Sequence, residues 1–260
     1  LVHERLCFGN GPGRKGEKRE MTEARNLPLI LALDTHDIQE ARDFLAPMRS
    51  MLRYVKVGPR LWTLGGAPFV TELSDQGFDV FLDLKLHDIP NTVAAAVDAM
   101  ADLGLWALTL HAGGGKSMLE AAVSARDDAE SEMVLLGVSV LTSFDQSSWN
   151  RVCPGCSLNE AIKSRTELCA ESGMDGLVCS PLDLGMVRQT AGESLITVVP
   201  GIRPWKVQDD QKRSATPAEA IRDGADFLVV GRPIIQSDDP LSAVSSIYEQ
   251  IEEGFRCRKK

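Results

Sequence analysis

The stretch DVFLDLKLHDIPNTVAAAVDAMADLGLWALTLH, residues 79–111, changes its hydrophobic period twice. Asp79–Leu84 is a short β-rich run, Asn91–Leu103 has helical period, and Trp106–Leu110 is β-rich again. Pro90 suits the first turn of a helix, where a backbone N–H has no partner to lose. Gly104 suits the residue just past a helix end, where the chain turns through positive φ. Strand, helix and strand so punctuated form one βαβ unit, which makes the two strands parallel.

The same unit repeats in both directions along the chain. Further strands are expected at Leu29–Leu33, Tyr54–Val57, Val134–Leu141, Gly176–Cys179, Leu195–Val199 and Phe227–Val230. Helices are expected at Asp37–Ser50, Lys116–Ala129 and Leu158–Ser172, and Gly77, Gly173 and Gly224 repeat the role of Gly104. Eight βα units in about 230 residues fit a single (β/α)8 TIM barrel of the α/β class. An open doubly wound sheet is the alternative, but it wants a Gly-rich first turn, which Asp34–Asp37 lacks.

Residues 1–20 lie outside this pattern. They carry Gly9, Gly11, Gly13 and Gly16 and a mixed-charge run from Arg14 to Glu20, with no apolar period. Such a segment buries too little to offset its ordering entropy, so a disordered extension is expected, with Met21 as the true start. Residues 21–260 are then one catalytic barrel. The whole chain of 260 residues has 28 Lys+Arg against 37 Asp+Glu, a formal charge of −9. That balance argues against a general binder of nucleic acid or anionic membrane. The longest apolar run, Met133–Leu141, is far short of the ~20 residues that span a bilayer. No apolar signal core occurs in the first 28 residues, and six Cys fall at irregular spacing. A cytoplasmic enzyme with reduced thiols is expected.

In a (β/α)8 barrel the chemistry gathers at the C-terminal ends of the strands. Those ends read Asp34, Lys56, Asp83-Leu84-Lys85, His111, Thr142, Pro200-Gly201 and Gly231-Arg232. Asp83 and Lys85 are two apart on a strand, so both share a face with Phe81, while Leu82 and Leu84 face the helices. Lys56, flanked by Val55 and Val57, follows the same parity, and Asp34 ends its own strand. Adjacent strands thus deliver acid, base, acid and base into one space. A purely structural ion-pair network is the plainer account. However, apolar replacements of such networks are often neutral or stabilising, so charges kept at the catalytic rim point to a ligand. Asp88 projects from the loop after Lys85, with Ile89 held extended by Pro90. Gly201 and Gly231-Arg232 follow the seventh and eighth strands, where these barrels frequently bind phosphate. Glycine lets backbone N–H groups approach the oxygens, and Arg grips them bidentately.

With these residues in place, the chain resembles the orotidine 5′-phosphate decarboxylase family from about Leu29 to the last helix. The block Asp83-Leu-Lys-Leu-His-Asp-Ile-Pro-Asn-Thr92 carries the resemblance, with Pro200-Gly-Ile-Arg-Pro204 and Val230-Gly-Arg-Pro233 in support. The resemblance implies a homodimer that decarboxylates orotidine 5′-phosphate to UMP without metal or cofactor, the last step of UMP synthesis. It gives Lys85 the role of proton donor to C6 and sets Asp83 beside the substrate carboxylate. Lys56 and Asp34 would hold the ribose, and Asp88, Ile89 and Thr92 would join the substrate contacts, Asp88 and Thr92 across the dimer interface. Thr142 would read the pyrimidine edge. Pro200, Arg203, Gln211, Gly231 and Arg232 would complete the phosphate end, with Pro204–Ala215 as a closing loop. Gln208 rivals Gln211, because the family varies in length there.

The chemistry fits that likeness. Loss of CO2 leaves a carbanion poorly placed for resonance, and a nearby cation able to protonate it is what the step needs. Two like charges ~3 Å apart cost roughly 5 kcal/mol at an effective dielectric of 20, and losing CO2 removes that repulsion.

Other signals carry less. Cys153-Pro-Gly-Cys156 has redox or zinc spacing, yet no His lies near it in sequence, so a loop turn with two incidental thiols is expected. His111 is expected to orient neighbours and His87 has no role. Gly113-Gly114-Gly115 reads as a turn rather than an anion cradle. Trp62, Trp106, Trp149 and Trp205 are too scattered to stack nucleic-acid bases. Two rival functions remain. Metal-dependent sugar-phosphate decarboxylases or aldolases share Asp-x-Lys-x-x-Asp but carry an acidic metal ligand where this chain has Lys56. A silent phosphate-binding barrel would not need Asp83 and Lys85 together.

Overall fold

The computed structural model describes residues 26–205 and 214–258. The expected extension at residues 1–20, the start at Met21, and both Gln208 and Gln211 lie outside the described residues.

Eight parallel strands close into a barrel in sequence order: β1 (Leu29–Ala32), β2 (Tyr54–Val57), β3 (Asp79–Leu86), β4 (Ala107–His111), β5 (Val134–Val138), β6 (Gly176–Val178), β7 (Ile196–Val199) and β8 (Phe227–Val230). Around them run α1 (Ile38–Leu45), α2 (Pro59–Asp75), α3 (Pro90–Ala101), α4 (Lys116–Asp128), α5 (Gln146–Val152), α6 (Leu158–Glu171), α7 (Leu184–Ala191), α8 (Pro217–Arg222), α9 (Arg232–Ile235) and α10 (Pro240–Arg258). This is the expected (β/α)8 barrel. Gly77, Gly104, Gly173 and Gly224 all have positive φ at the helix-to-strand junctions.

Each strand buries both faces, as a parallel sheet under helices must. On β1, Leu29 and Leu31 join the outer core beneath the helices, whereas Ile30 and Ala32 fill the barrel. Ala32, Lys56 and Phe81 stand in one register across β1, β2 and β3, all pointing inward. At the N-terminal end Tyr54, Trp106 and Phe227 close the interior, with ring centroids 4.8–5.2 Å apart. Polar side chains at the other end therefore rest on an aromatic floor.

The boundaries shift where local chemistry requires it. The first helix was expected over Asp37–Ser50. Asp37 is its N-cap, accepting from the Glu40 N–H at 2.8 Å, but α1 ends at Leu45. A 3-10 turn over Ala46–Met48 follows, since Pro47 has no N–H to continue the α-helical ladder. β5 stops at Val138 rather than Leu141. The loop that follows carries α5, which the helical period did not suggest, opened by a capping box between Asp145 and Ser148. β3 runs on to Leu86, two residues further than expected, through a register shift against β4 between Leu82 and Leu86. No helix among the described residues is long and apolar enough to cross a membrane.

Candidate active site

Inward parity brings Lys56 and Asp83 together, as the alternation of apolar and polar residues implies. Lys85 arrives by a different route. The pairs Leu82↔Leu108 and Leu86↔Leu110 leave Asp83, Leu84 and Lys85 opposite Thr109 alone, so β3 bulges. Lys85 has φ +53°, a left-handed conformation that costs a residue with a Cβ about 1–2 kcal/mol. Simple two-residue alternation therefore gives the right face for the wrong reason: the bulge, and not a flat pleat, turns Lys85 inward.

Asp83 is the centre of the array. Its Oδ1 accepts from Lys85 Nζ at 2.7 Å and from the Thr109 hydroxyl at 3.0 Å, while Lys56 Nζ lies 3.2 Å from Oδ2. Burial alone would push this carboxyl up. The ammonium groups of Lys56 and Lys85, with the hydrogen bonds from Lys85 and Thr109, outweigh that and hold it below the ordinary 3.8. Asp83 is thus a fixed negative charge between two positive ones.

A cavity of about 260 Å³ opens above this array. Asp34, Lys56, Asp83, Lys85, Thr142, Pro200, Arg203, Gly231 and Arg232 all line it, together with Gly201 and apolar side chains including Phe81 and Val178. A Cβ built on Gly58 would lie 3.7 Å from both Asp34 Oδ1 and Lys56 Nζ, so both side chains border the start of α2. Beyond β7 Gly201 has φ +82°, and beside β1 a Cβ on Gly231 would come within 3.2 Å of Ala32 Cβ, 3.4 Å of its carbonyl oxygen and 3.7 Å of Asp34 Oδ2. Glycine at 231 lets the chain leaving β8 pass close to β1, with Arg232 beside it. The Ile202↔Ala215 bridge and the Arg203 N–H donating to the Ala215 carbonyl at 2.9 Å tie together the ends of the β7–α8 loop.

Three expected site residues stand apart from this cavity. Asp88, Ile89 and Thr92 are exposed on the loop after β3 and at the start of α3, with Ile89 66% accessible. Asp88 Oδ1 accepts from the Ile89 N–H at 2.7 Å. None of the three lines the cavity.

Residues 27–247 match the model of the "Orotidine 5'-phosphate decarboxylase / HUMPS family". The chain belongs to this family. The orotidine 5′-phosphate decarboxylase of Nitrosomonas europaea is 44% identical over 224 residues, covering 86% of this chain and 96% of that one. That of Dichelobacter nodosus is 41% identical over 225 residues, 86% of this chain and 98% of the relative. The crystal structure of the orotidine 5′-phosphate decarboxylase from Lactobacillus acidophilus superposes with a TM-score of 0.76 at 33% identity. It covers 86% of this chain and 99% of the other.

Within this orotidine 5′-phosphate decarboxylase / HUMPS barrel, the minor motifs resolve into structure. His111 Nδ1 accepts from the Gly113 N–H at 3.1 Å, and its ring stacks on His87 at 5.1 Å. Burial first, then the charges of Arg165, His87 and Lys85, push His111 down to about 4, so it is neutral at pH 7. Gly113–Gly115 is the expected turn, since Gly115 has φ +82° and a Cβ on Gly114 would strike Met118. Cys153 and Cys156 flank a tight turn in which the Cys156 N–H reaches the Cys153 carbonyl at 3.4 Å and Gly155 has φ +83°. Among the described residues no group of three or more His, Cys, Asp or Glu is arranged to hold a metal. Thr109 was not expected among the site residues. Its signal was present: an inward-parity hydroxyl on the strand beside Asp83 and Lys85.

Proposed function

We propose that this chain decarboxylates orotidine 5′-phosphate to UMP and CO2 without metal or cofactor, with Lys85 as the proton donor. Support comes from the family membership and above all from one observation: a buried carboxylate, Asp83, gripped by two ammonium groups on an aromatic floor. Arg203, Arg232 and the Gly231 backbone take the phosphate on the β7–β8 side of the same cavity. Lys56 and Asp34 take the ribose hydroxyls, Thr142 the polar edge of the pyrimidine, and Pro200 closes against it. The substrate carboxylate then lies against Asp83. The C6–carboxylate bond breaks with its electron pair left on C6, CO2 departs, and a proton moves from Lys85 Nζ to C6. Lys85 regains its proton from water after UMP leaves. Repulsion between the two carboxylates ends as CO2 forms, while the attraction of Lys85 for the growing charge at C6 increases. Phosphate contacts far from C6 supply binding energy that holds this arrangement.

The exposed Asp88, Ile89 and Thr92 fit a homodimer in which Asp88 and Thr92 complete the partner's ribose site. The metal-dependent reading is disfavoured by Lys56. Its ammonium is bound to Asp83 where such relatives carry an acidic ligand, and it would repel a divalent cation. The test is loss of orotidine 5′-phosphate absorbance by the protein before and after dialysis against EDTA. Equal rates are expected. No turnover, or turnover abolished by EDTA, would move the chain to a metal-dependent or non-catalytic member of the family.

A further inference from the structure

Thr109 is fully buried in the middle of β4, beneath the cavity rather than among the residues that line it. Both of its polar contacts nevertheless go to the array. The hydroxyl gives its one hydrogen to Asp83 Oδ1 at 3.0 Å, and a lone pair accepts the backbone N–H of Lys85 at 2.9 Å. The bulge explains why a side chain does this work. With Asp83, Leu84 and Lys85 opposite a single β4 residue, regular ladder pairing is broken there, and the Lys85 N–H finds its partner in the Thr109 hydroxyl. Lys85 then turns through φ +53° and returns its Nζ to the same Asp83 oxygen at 2.7 Å. The result is a closed hydrogen-bonded ring: Lys85 N, Thr109 Oγ1, Asp83 Oδ1 and Lys85 Nζ.

We infer that Thr109 is a positioning residue for decarboxylation, fixing at once the Asp83 carboxylate and the left-handed backbone from which Lys85 reaches the reacting carbon. This inference rests on the decarboxylase reading of the site. A threonine retained only for packing would be replaceable by any side chain of its shape. A positioning hydroxyl would not be, since small misplacements of acting groups cost large factors in rate.

Two pairs of variants separate these cases, each measured for kcat, KM, UMP affinity and thermal midpoint. Thr109→Val keeps the shape and removes the hydroxyl, leaving the Lys85 N–H without its acceptor. It is expected to lower kcat by about 10- to 100-fold while UMP affinity stays within about threefold of wild type. Thr109→Ser, which keeps the hydroxyl, is expected to retain kcat within about threefold. If the valine variant does not fold, Thr109→Ala against Thr109→Ser isolates the same hydroxyl on a smaller side chain. The inference is overturned if a folded Thr109→Val protein keeps wild-type kcat, or if serine and alanine give the same kcat. Failure of the decarboxylase reading itself is seen separately, as absence of wild-type turnover of orotidine 5′-phosphate.

Discussion

Asp83 stays ionised in surroundings that would otherwise neutralise it, because Lys56 and Lys85 each approach one of its oxygens. The dependence is mutual: without Asp83, two ammonium groups face each other with little solvent between them. Asp83→Asn should therefore unfold about 3 kcal/mol more easily in urea at pH 7. The folded-state value is held below the unfolded 3.8, so this contribution is complete above 3.8 and is lost as pH falls through the folded value. The gap between wild type and Asp83→Asn should close only in that acid range. His111 acts higher on the scale. Its folded value of about 4 lies below the ordinary 6.5, so the unfolded chain binds the extra proton first. Wild-type stability should fall as pH drops from 6.5 towards 4, and His111→Gln should flatten that part of the profile. A wild-type curve already flat there would contradict the assignment of His111 as a buried neutral ring.

β3 shows how far an element can be read from its sequence. Its apolar alternation places Phe81 and Asp83 inward and Leu82 outward, as found. Proline and glycine punctuation locates α3 and its junction with β4 to within two residues. The bulge was not legible, because it is a property of pairing: only the register against β4 reveals that Thr109 faces three residues. Its conformational cost gives a direct test. Lys85→Gly and Lys85→Ala both remove the ammonium, but only glycine adopts φ +53° without strain. Lys85→Gly should be more stable than Lys85→Ala by up to about 1 kcal/mol in urea unfolding, the reverse of the usual order in a strand. β6 offers a second test. A Cβ on Gly176 would lie 2.6 Å from the Ile196 carbonyl oxygen and 2.7 Å from Leu136, and the backbone oxygen cannot yield. Gly176→Ala should cost about 1–3 kcal/mol with little change in the cavity's charged groups.

At the scale of the molecule, the barrel separates its buried structural ion pairs from the candidate site by end. The N-terminal end holds the aromatic plug and the Arg126–Asp175 and Arg188–Asp226 ion pairs, in which carboxylates also accept the Leu135 and Thr197 N–H groups at 2.8 Å. A structural ion-pair network was one reading of the Lys/Asp array, and such networks do exist here, at the opposite end. The C-terminal end gathers Asp34, Lys56, Asp83, Lys85, Thr142, Pro200, Arg203, Gly231 and Arg232 around one cavity, all of them named from strand-end positions and family motifs. Asp88, Ile89 and Thr92 do not join it within one chain. The proposed dimer predicts how they act. Mixing inactive Lys85→Ala and Asp88→Asn proteins should restore about a quarter of wild-type activity, since mixed dimers hold one site with both residues intact. No recovery on mixing would place Asp88 in its own subunit's site.

The claim on which the rest depends is that Lys85 delivers the proton, and one comparison reaches it directly. Decarboxylation of orotidine 5′-phosphate in the presence of EDTA would be measured for wild type and Lys85→Ala, with UMP affinity determined for each by calorimetry. The Lys56–Asp83–Lys85 array predicts EDTA-resistant wild-type turnover, and a variant that still binds UMP yet shows no measurable kcat. A Lys85→Ala protein that binds UMP and turns over at the wild-type rate would contradict it.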